Sequence, residues 1–378
     1  MEQLNRRSLI AGASLIGAGV VASLGRNASA GGRDPSAGMI RGGAESEPRT
    51  PINQTNTPGD STTVFRITQP GSYYLTANIT GGAGRSGIEI AADEVTIDLM
   101  GFSVVGLGGS VCGIRSVAPL QSAIIRNGIV TRWGQRGIDM AFNGLGVGGL
   151  IENIIASYNA QQGIRANQFA AIRGCTAISN GSVGIMLVDG GTIDSSLATG
   201  NISHGISAGN GVIVRQCVAR ENLGTGITVG NNVNVLDSTA WSNSGSGIVA
   251  GYACTVQRCI ANSNFLDGIR VSGDSIVREN CCSVNGVVNS GAGIRVVNSD
   301  CRVEANSSNS NPVGYSIDGH GNLFIRNSAS GNATNFILNS YNQYGAILNQ
   351  TTGLTAAVIG NSAAGTLNSS DPWANIAF

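Results

Sequence analysis

A glycine followed by an apolar residue recurs along most of the chain. That apolar residue is isoleucine at every site except the last, where Tyr315 takes its place. The glycines are Gly87, Gly113, Gly137, Gly163, Gly184, Gly205, Gly226, Gly247, Gly268, Gly293 and Gly314. Five consecutive spacings, from Gly163 to Gly268, are 21 residues, and the others are between 21 and 26 residues. A period in this range predicts a solenoid or a propeller, and 21 residues are too few for a propeller blade or a pair of helices.

Each repeat also contains short stretches in which apolar and polar residues alternate. In the repeat that begins at Gly205, the inward positions are Ile206, Ala208, Val214 and Ala219. Alternation over a few residues predicts strands, three in each repeat, with turns between them. The apolar positions do not follow a 3.6-residue period, which excludes a helical solenoid, and a leucine-rich signature is absent. We therefore predict an all-β fold, a single-stranded parallel β-helix solenoid of about 12 rungs with a 21-residue repeat.

A column of asparagines supports the same repeat independently. Its members, spaced by 21 residues throughout, are Asn159, Asn180, Asn201, Asn222, Asn243, Asn264 and Asn285. Asparagine tolerates the backbone of sharp turns, and stacked asparagine amides can hydrogen-bond from one strand layer to the next. We expect these residues to form a ladder at one corner of the solenoid.

Residues 1–30 have the pattern of an export signal. Arg6 and Arg7 precede an apolar stretch at 9–24, and small residues at 28–30 resemble a cleavage site. The paired arginines are typical of the twin-arginine signal. The apolar stretch is shorter than the roughly 20 residues of a membrane-spanning helix. We expect an exported protein, periplasmic, secreted or at the cell surface, with no membrane span in its mature form.

The remaining chain divides into four predicted segments. Residues 31–60 are rich in Gly, Pro, Ser and Thr and are expected to form a flexible linker. Residues 61–86 are predicted to cap the solenoid, which occupies 87–339. The segment 340–378, where the 21-residue period fades, is predicted to be a C-terminal cap or tail. Caps are needed because an end rung exposes both its core and a strand edge.

Charge narrows the classes of function. The 378 residues include 22 basic and 22 acidic side chains, and all of the basic ones are arginine. The absence of lysine excludes a Schiff base, a phosphate-loop lysine and a lysine general base. A net charge of zero without a basic run argues against a nucleic-acid partner. The sequence contains no signal for an oligomeric state.

Several segments resemble a known family. The stretch 69–79, with Gln-Pro-Gly-Ser-Tyr-Tyr-Leu, and the stretch 95–102, with Val-Thr-Ile-Asp-Leu-Met-Gly-Phe, resemble the opening of bacterial secreted right-handed parallel β-helix repeat proteins. The ending Asp-Pro-Trp-Ala-Asn at 371–375 is similar to theirs. The resemblance covers 62–378 and implies a right-handed, pectate-lyase-like architecture. It implies little about activity, because the superfamily includes lyases, hydrolases, esterases, epimerases and inert members.

The first candidate site lies two residues after the repeat glycine. Four successive rungs carry Glu89, Arg115, Asp139 and Arg165 there, on the face over which similar folds bind polysaccharide. Carboxylates two rungs apart are about 9.6 Å apart at the backbone, near the upper end of the inverting-glycosidase range. A solvent-exposed charge ladder has the same alternation, and we favour that interpretation over a substrate-binding site.

The second candidate site lies near the carboxyl end. Asp300, Asp318 and His320 fall in turns of successive rungs, and Gly-His-Gly at 319–321 resembles the motif of polygalacturonases. Paired aspartates with a histidine suit acid–base hydrolysis. The family's aspartate pair and its Arg-Ile-Lys segment are missing, and Asp beside Gly is common in turns. We favour a structural turn over a catalytic site.

Neither a cofactor site nor a reactive cysteine is predicted. The resemblance would allow calcium on surface carboxylates, but no EF-hand spacing occurs, and we predict no cofactor and no metal ligand. Cys175, Cys217 and Cys259 share one column on alternate rungs, too far apart for disulfides, and are predicted to be small core residues.

Two hypotheses for function follow. The first is a non-catalytic solenoid that binds polysaccharide or another surface, or serves a structural role. The alternative is a carbohydrate-active enzyme, a glycoside hydrolase or polysaccharide lyase acting on an extracellular polysaccharide. Fold alone does not choose between them. We favour the first, because the repeats are nearly uniform and no concentrated polar site is evident.

Overall fold

Parallel strands stacked in rungs form the described part of the chain. The computed structural model describes residues 49–142, 146–287, 291–349, 358–359 and 372–377. These residues all belong to one compact unit, 47–378, and they include strands, turns and bends but no α-helix. The predicted export signal at 1–30 lies outside the described residues.

The first strand of each rung joins a 14-stranded parallel sheet, which we call sheet 1. Its strands, in order, are β2 (Thr63–Ile67), β5 (Ser86–Ile90), β8 (Ile114–Ser116), β10 (Ile138–Asp139), β12 (Ile164–Ala166), β15 (Ile185–Leu187), β18 (Ile206–Ala208), β21 (Ile227–Val229), β24 (Ile248–Ala250), β27 (Ile269–Val271), β30 (Ala292–Val296), β33 (Val313–Ile317), β36 (Thr334–Leu338) and β39 (Val358–Ile359).

The second and third strands of each rung form a 26-stranded sheet, which we call sheet 2. The second strands are β1 (Thr50–Pro51), β3 (Gly71–Tyr74), β6 (Val95–Asp98), β9 (Ile124–Thr131), β11 (Leu150–Ser157), β13 (Ala171–Arg173), β16 (Thr192–Asp194), β19 (Ile213–Arg215), β22 (Asn234–Leu236), β25 (Thr255–Gln257), β28 (Ile276–Arg278), β31 (Arg302–Glu304), β34 (Leu323–Ile325) and β37 (Gln343–Tyr344). The third strands are β4 (Ile79–Gly81), β7 (Ser103–Gly106), β14 (Thr176–Ile178), β17 (Leu197–Thr199), β20 (Val218–Arg220), β23 (Thr239–Trp241), β26 (Ile260–Asn262), β29 (Cys281–Ser283), β32 (Ser307–Asn309), β35 (Ser328–Ser330), β38 (Ile347–Asn349) and β40 (Asn375–Ala377). The long strands β9 and β11 run through both positions of their rungs.

The parallel β-helix with its 21-residue repeat is confirmed, but the number of rungs is larger than predicted. Sheet 1 has 14 strands among the described residues, against about 12 expected rungs. The two additional strands are β2 and β39. Strand β2 pairs with β5 but carries Val64 at the position of the repeat glycine, so the glycine pattern does not reveal it.

The core consists of the predicted columns of identical or similar side chains. In sheet 1, Ile206 pairs in register with Ile227, which pairs with Ile248, and all three are fully buried. In sheet 2, Val214 and Ala219 occupy equivalent buried columns. Parallel in-register stacking at about 4.8 Å per rung keeps each column continuous. Apolar burial of this kind is the main stabilising contribution to the fold.

The asparagine ladder forms as predicted. The Nδ2 of Asn201 donates to Oδ1 of Asn222 at 2.9 Å, and the backbone N–H of Asn201 donates to the same oxygen at 3.0 Å. Asn222 in turn donates to Asn243 at 2.9 Å, and all three side chains are almost completely buried. The ladder therefore supplies partners for backbone groups that would otherwise be buried unpaired at this corner.

The ladder also explains the repeat glycine. A Cβ on Gly205 would lie 2.6 Å from Nδ2 of Asn222 and 2.8 Å from the carbonyl oxygen of Gly226. The residue is a glycine because the next rung approaches closely, and not because a tight turn requires a left-handed backbone. The glycine column and the asparagine column therefore depend on each other.

Near both ends of the solenoid, described residues outside the regular rungs contact it. At the amino end, Phe65 of β2 pairs with Pro58, and Arg66 N–H donates to the Thr57 carbonyl at 3.3 Å. The end of the predicted linker 31–60 is therefore structured from residue 49 onward. At the other end, the Arg326 guanidinium lies 3.8 Å from the centroid of the Trp373 ring.

The cysteines are free, and seven of the eight are buried. Cys175, Cys217 and Cys259 are about 1% exposed, as expected of small core residues. Burial raises the pKa of each of these three thiols to about 12. Their column becomes an asparagine ladder on later rungs, where the Cys259 N–H donates to Oδ1 of Asn280 at 2.8 Å.

Candidate functional site

The charged residues of the first candidate site lie on adjacent strands of sheet 1. Residues two positions after the repeat glycine point away from the core because side chains alternate along a strand. The register pairs Glu89 on β5 with Arg115 on β8, Arg115 with Asp139 on β10, and Asp139 with Arg165 on β12. Arg66 on β2 precedes Glu89 in the same column. We call this set of five residues the outer column.

Glu89 is enclosed by two arginines. Its side chain is completely buried, with Arg66 Nη2 at 2.6 Å from Oε2 and Arg115 Nε at 2.9 Å from Oε1. A buried carboxylate is tolerated when charge-assisted hydrogen bonds replace its hydration. Glu89 therefore has a structural partner for each oxygen, and its role is to orient Arg66 and Arg115.

Asp139 is bound by two further arginines. Arg136 Nη1 lies 2.9 Å from Oδ2, and Arg165 Nη1 lies 3.4 Å from Oδ1. Arg136 also donates its Nε to Oε1 of Gln162 at 2.8 Å. Sequence reasoning missed Arg136, although its place directly before the repeat glycine Gly137 puts it beside the outer column.

A groove of about 540 Å³ opens between these arginines. It is lined by Arg115, Ser116, Val117, Arg136, Asp139, Ala141, Phe142 and Arg165. Three guanidinium groups and one carboxylate surround it, so the groove has an excess of positive charge. We call it the arginine groove.

The next four rungs of the same face are neutral. The register continues from Arg165 through Met186, Ser207, Thr228 and Val249 to Arg270 on β27. These four side chains are partly exposed. The distance from Arg165 to Arg270 is five rungs, about 24 Å at the usual spacing between strands. The charged ends of the face are thus separated by a neutral surface.

A second groove of about 270 Å³ lies at the far end of this neutral surface. It is lined by Ser246, Leu266, Asp267, Arg270, Gly291, Arg295 and Asp318. Arg295 bridges two carboxylates: its Nε lies 3.1 Å from Asp267 Oδ1, and its Nη1 lies 2.9 Å from Asp318 Oδ2. Burial alone would lower the pKa of Arg295, but the carboxylates of Asp267 and Asp318 raise it above its usual value.

The three residues of the second predicted site have different contacts. Asp318 contacts Arg295 and Ser316, whereas Asp300 occupies the turn before β31 with a left-handed φ of 63°. No hydrogen bond or ion pair joins Asp300, Asp318 and His320 within the described part of the chain, and the His320 ring is exposed. The left-handed backbone matches the turn interpretation of Asp300, because aspartate tolerates that conformation.

A second charge ladder runs along the outside of sheet 2, and the sequence reasoning did not identify it. It comprises Asp98, Arg126, Glu152, Arg173, Asp194 and Arg215. Arg215 Nε lies 3.0 Å from Asp194 Oδ1, and this hydrogen bond lowers the pKa of Asp194. The signal was present as charge ten residues after the glycines Gly163, Gly184 and Gly205. Alternating charge therefore occurs on both sheets of this solenoid, and the sheet 1 face differs from the sheet 2 face in having the arginine groove beside it.

Within the described ranges, no group of three or more His, Cys, Asp or Glu side chains is placed to hold a metal ion. The same ranges contain no helix with the length and hydrophobicity needed to cross a bilayer.

Comparisons with known proteins agree on the fold. Residues 112–259 match the family model described as the right handed beta helix region. The chain is similar to the A-module of the Azotobacter vinelandii mannuronan C-5 epimerase AlgE4, with a TM-score of 0.50 and 15% identity over 81% of this chain and 91% of that one. It is also similar to the periplasmic alginate epimerase AlgG, with a TM-score of 0.42 and 13% identity over 86% of this chain and 80% of that one.

The Dettilon tailspike protein is a further similar structure, with a TM-score of 0.44 and 13% identity over 83% of this chain and 60% of that one. No curated protein matches the sequence. Identities this low concern the fold and carry no information on activity. The observed stacking of parallel strands gives the described residues the fold of a parallel β-helix, and the match to the right handed beta helix region covers 112–259 of it.

Proposed function

We propose that this chain is an exported, non-catalytic protein that binds polysaccharide along the outer face of sheet 1. The observation that carries the proposal is the pair of grooves on that face, separated by partly exposed neutral side chains. A long face suits an extended polymer, whereas a compact ligand needs an enclosed pocket. The solenoid supplies such a face because every rung repeats the same strand at a fixed spacing.

The contacts of the groove carboxylates support binding over hydrolysis. Glycoside hydrolysis needs one carboxyl group that is protonated and can donate to the leaving oxygen. In the two grooves, Asp139, Asp267 and Asp318 each contact an arginine. These carboxylates are therefore held in ion pairs, and the grooves present guanidinium hydrogen-bond donors to a bound polymer.

The alternative function is a carbohydrate-active enzyme, and one observation favours it. Asp267 and Asp318 converge on Arg295 in an open groove, and a carboxylate there has access to a bound sugar. An arginine-paired carboxylate can still act as a base. If the chain has such an activity, we expect Asp318 to be the catalytic residue, because it lines the second groove and Asp300 and His320 do not.

A panel of neutral and acidic polysaccharides tests both functions with the same samples. Retention on immobilised polysaccharide, without release of reducing or unsaturated sugars, is the result expected for a binding protein. Release of sugars that is lost in Asp318→Asn and kept in Asp300→Asn would instead establish the enzyme at the second groove. A chain that neither binds nor modifies any polymer of the panel would overturn the proposed function.

A further inference from the structure

The arginine groove has hydrogen-bond donors that the protein does not use. Arg115 directs Nε and Nη2 to Glu89, Arg136 uses Nε and Nη1, and Arg165 uses only Nη1, at 3.4 Å from Asp139. No other hydrogen bond of these three guanidinium groups occurs among the described residues. Each group therefore presents at least one free N–H edge while its position is fixed by a carboxylate or amide.

Such an arrangement matches an anion. Guanidinium groups bind carboxylate and sulfate oxygens through two parallel N–H donors, and this geometry is more specific than a point charge. Because Arg115 and Arg136 are already held by Glu89, Asp139 and Gln162, little side-chain entropy is lost when a ligand binds. The three positive charges exceed the single carboxylate that lines the groove.

Arg270 provides a further guanidinium at the far end of the face, unpaired among the described residues. It is exposed, lines the second groove, and makes no hydrogen bond or ion pair with any described residue. Between Arg165 and Arg270 the face presents a thioether, two hydroxyls and an apolar side chain at Met186, Ser207, Thr228 and Val249. A carboxylate opposite these neutral side chains would lose water without gaining a charged partner.

We infer that the polysaccharide carries widely spaced acidic groups, with neutral sugars between them. This inference rests on the proposed function and adds the charge pattern of the ligand. One acidic group occupies the arginine groove, a second lies near Arg270, and neutral sugars cover the four intervening rungs. A polymer with an acid on every sugar fits the face poorly, because its charges would lie on the neutral rungs.

The experiment compares polymers that differ in charge density. The full chain is tested by calorimetric titration against a neutral glucan, a heteropolysaccharide with one uronate in each repeating unit of several sugars, and a fully charged polyuronate. A sulfated polymer of similarly sparse charge distinguishes sulfate from carboxylate as the preferred anion. We expect the sparsely charged polymers to bind at least tenfold more tightly than both the neutral glucan and the polyuronate, and added salt to weaken this binding.

Variants locate the binding. Arg165→Gln removes the arginine with the weakest internal contact and should reduce affinity for the sparse polymers by about tenfold or more. The matched control is Arg173→Gln on sheet 2, whose guanidinium lies 3.8 Å from Asp194 and lines neither of the two grooves. This control should leave affinity unchanged. Circular dichroism and the denaturant midpoint establish that both variants are folded.

The outcomes separate the two proposals. Equal or tighter binding of the polyuronate, or equal loss in Arg165→Gln and Arg173→Gln, overturns the inference and leaves polysaccharide binding standing. Tightest binding of the neutral glucan does the same. Failure to bind any of the polymers overturns the proposed function and the inference with it.

Discussion

Removal of one asparagine from the middle of the ladder tests how the solenoid is held together. In Asn222→Ala, the backbone N–H of Asn201 loses its acceptor, and the Asn201 amide loses one of its two acceptors. The carbonyl of Ala198 loses the donor that Asn222 Nδ2 supplies at 3.2 Å. Asn222 is completely buried, so water cannot replace these partners without opening the corner.

The expected cost follows from the groups left unpaired. Each buried donor without a partner costs about 1–3 kcal/mol, so the two donors of Asn201 together predict a loss of about 2–6 kcal/mol in the free energy of unfolding. The control is Asn234→Ala, an exposed outward position of β22, for which we expect a change within about 0.5 kcal/mol. Both variants are compared with the parent chain by guanidinium unfolding and by hydrogen exchange of the Asn201 backbone N–H.

The rate of hydrogen exchange at Asn201 should rise in Asn222→Ala and stay unchanged in Asn234→Ala. Equal stabilities of the two variants, or unaltered protection of the Asn201 backbone N–H, would refute the role assigned to the ladder. Neighbouring rungs are expected to unfold together, because each repeat of a solenoid is stabilised by its contacts with the next.

Three other predictions concern thiols, a buried hydroxyl and a histidine. A thiol reagent at neutral pH should label Cys281 rapidly and the other seven cysteines only after unfolding, because Cys281 is the one exposed cysteine of the eight. Labelling of more than one thiol in the native chain would contradict this. Ser116→Ala should raise the free energy of unfolding by about 1 kcal/mol, because the buried Ser116 Oγ has no partner among the described residues. The comparison variant Ser308→Ala removes a 2.7 Å hydrogen bond and should lower the free energy of unfolding. Burial lowers the pKa of His204, whose Nδ1 accepts the Thr225 N–H at 3.0 Å. The contribution of His204 to stability is therefore present above its unfolded pKa of about 6.5 and lost as the pH falls below it. The stability advantage of the parent over His204→Gln should shrink on acidification, and an advantage independent of pH would contradict this.

The fold could be predicted because each rung repeats the same physical solution. A close approach between rungs requires glycine at Gly205, and the corner above it requires the amide of Asn222, so both appear at fixed spacing. Where that constraint relaxes, the pattern disappears. Strand β2 carries Val64 instead of glycine and β39 follows no repeat glycine, so the glycine spacing gave two rungs too few.

The candidate site was only partly predictable. Spacing placed Glu89, Arg115, Asp139 and Arg165 in one column, because strand register follows from the repeat. It did not reveal Arg136, which lies in a turn, or the contacts of Asp267 and Asp318 with Arg295, which depend on side-chain reach. Proximity in sequence also grouped Asp318 with Asp300 and His320, but it did not reveal that Asp318 pairs with Arg295 and accepts from Ser316.

Hydrogen exchange of the full chain with and without a sparsely charged acidic polysaccharide tests the central claim most directly. We expect slowed hydrogen exchange in β8, β10 and β12 around the arginine groove and along sheet 1 to β27. Exchange in the outward charge ladder of sheet 2 should stay unchanged. Slowed exchange confined to sheet 2, or no change anywhere at saturating polymer, would contradict the assignment of the outer face of sheet 1 as the binding surface.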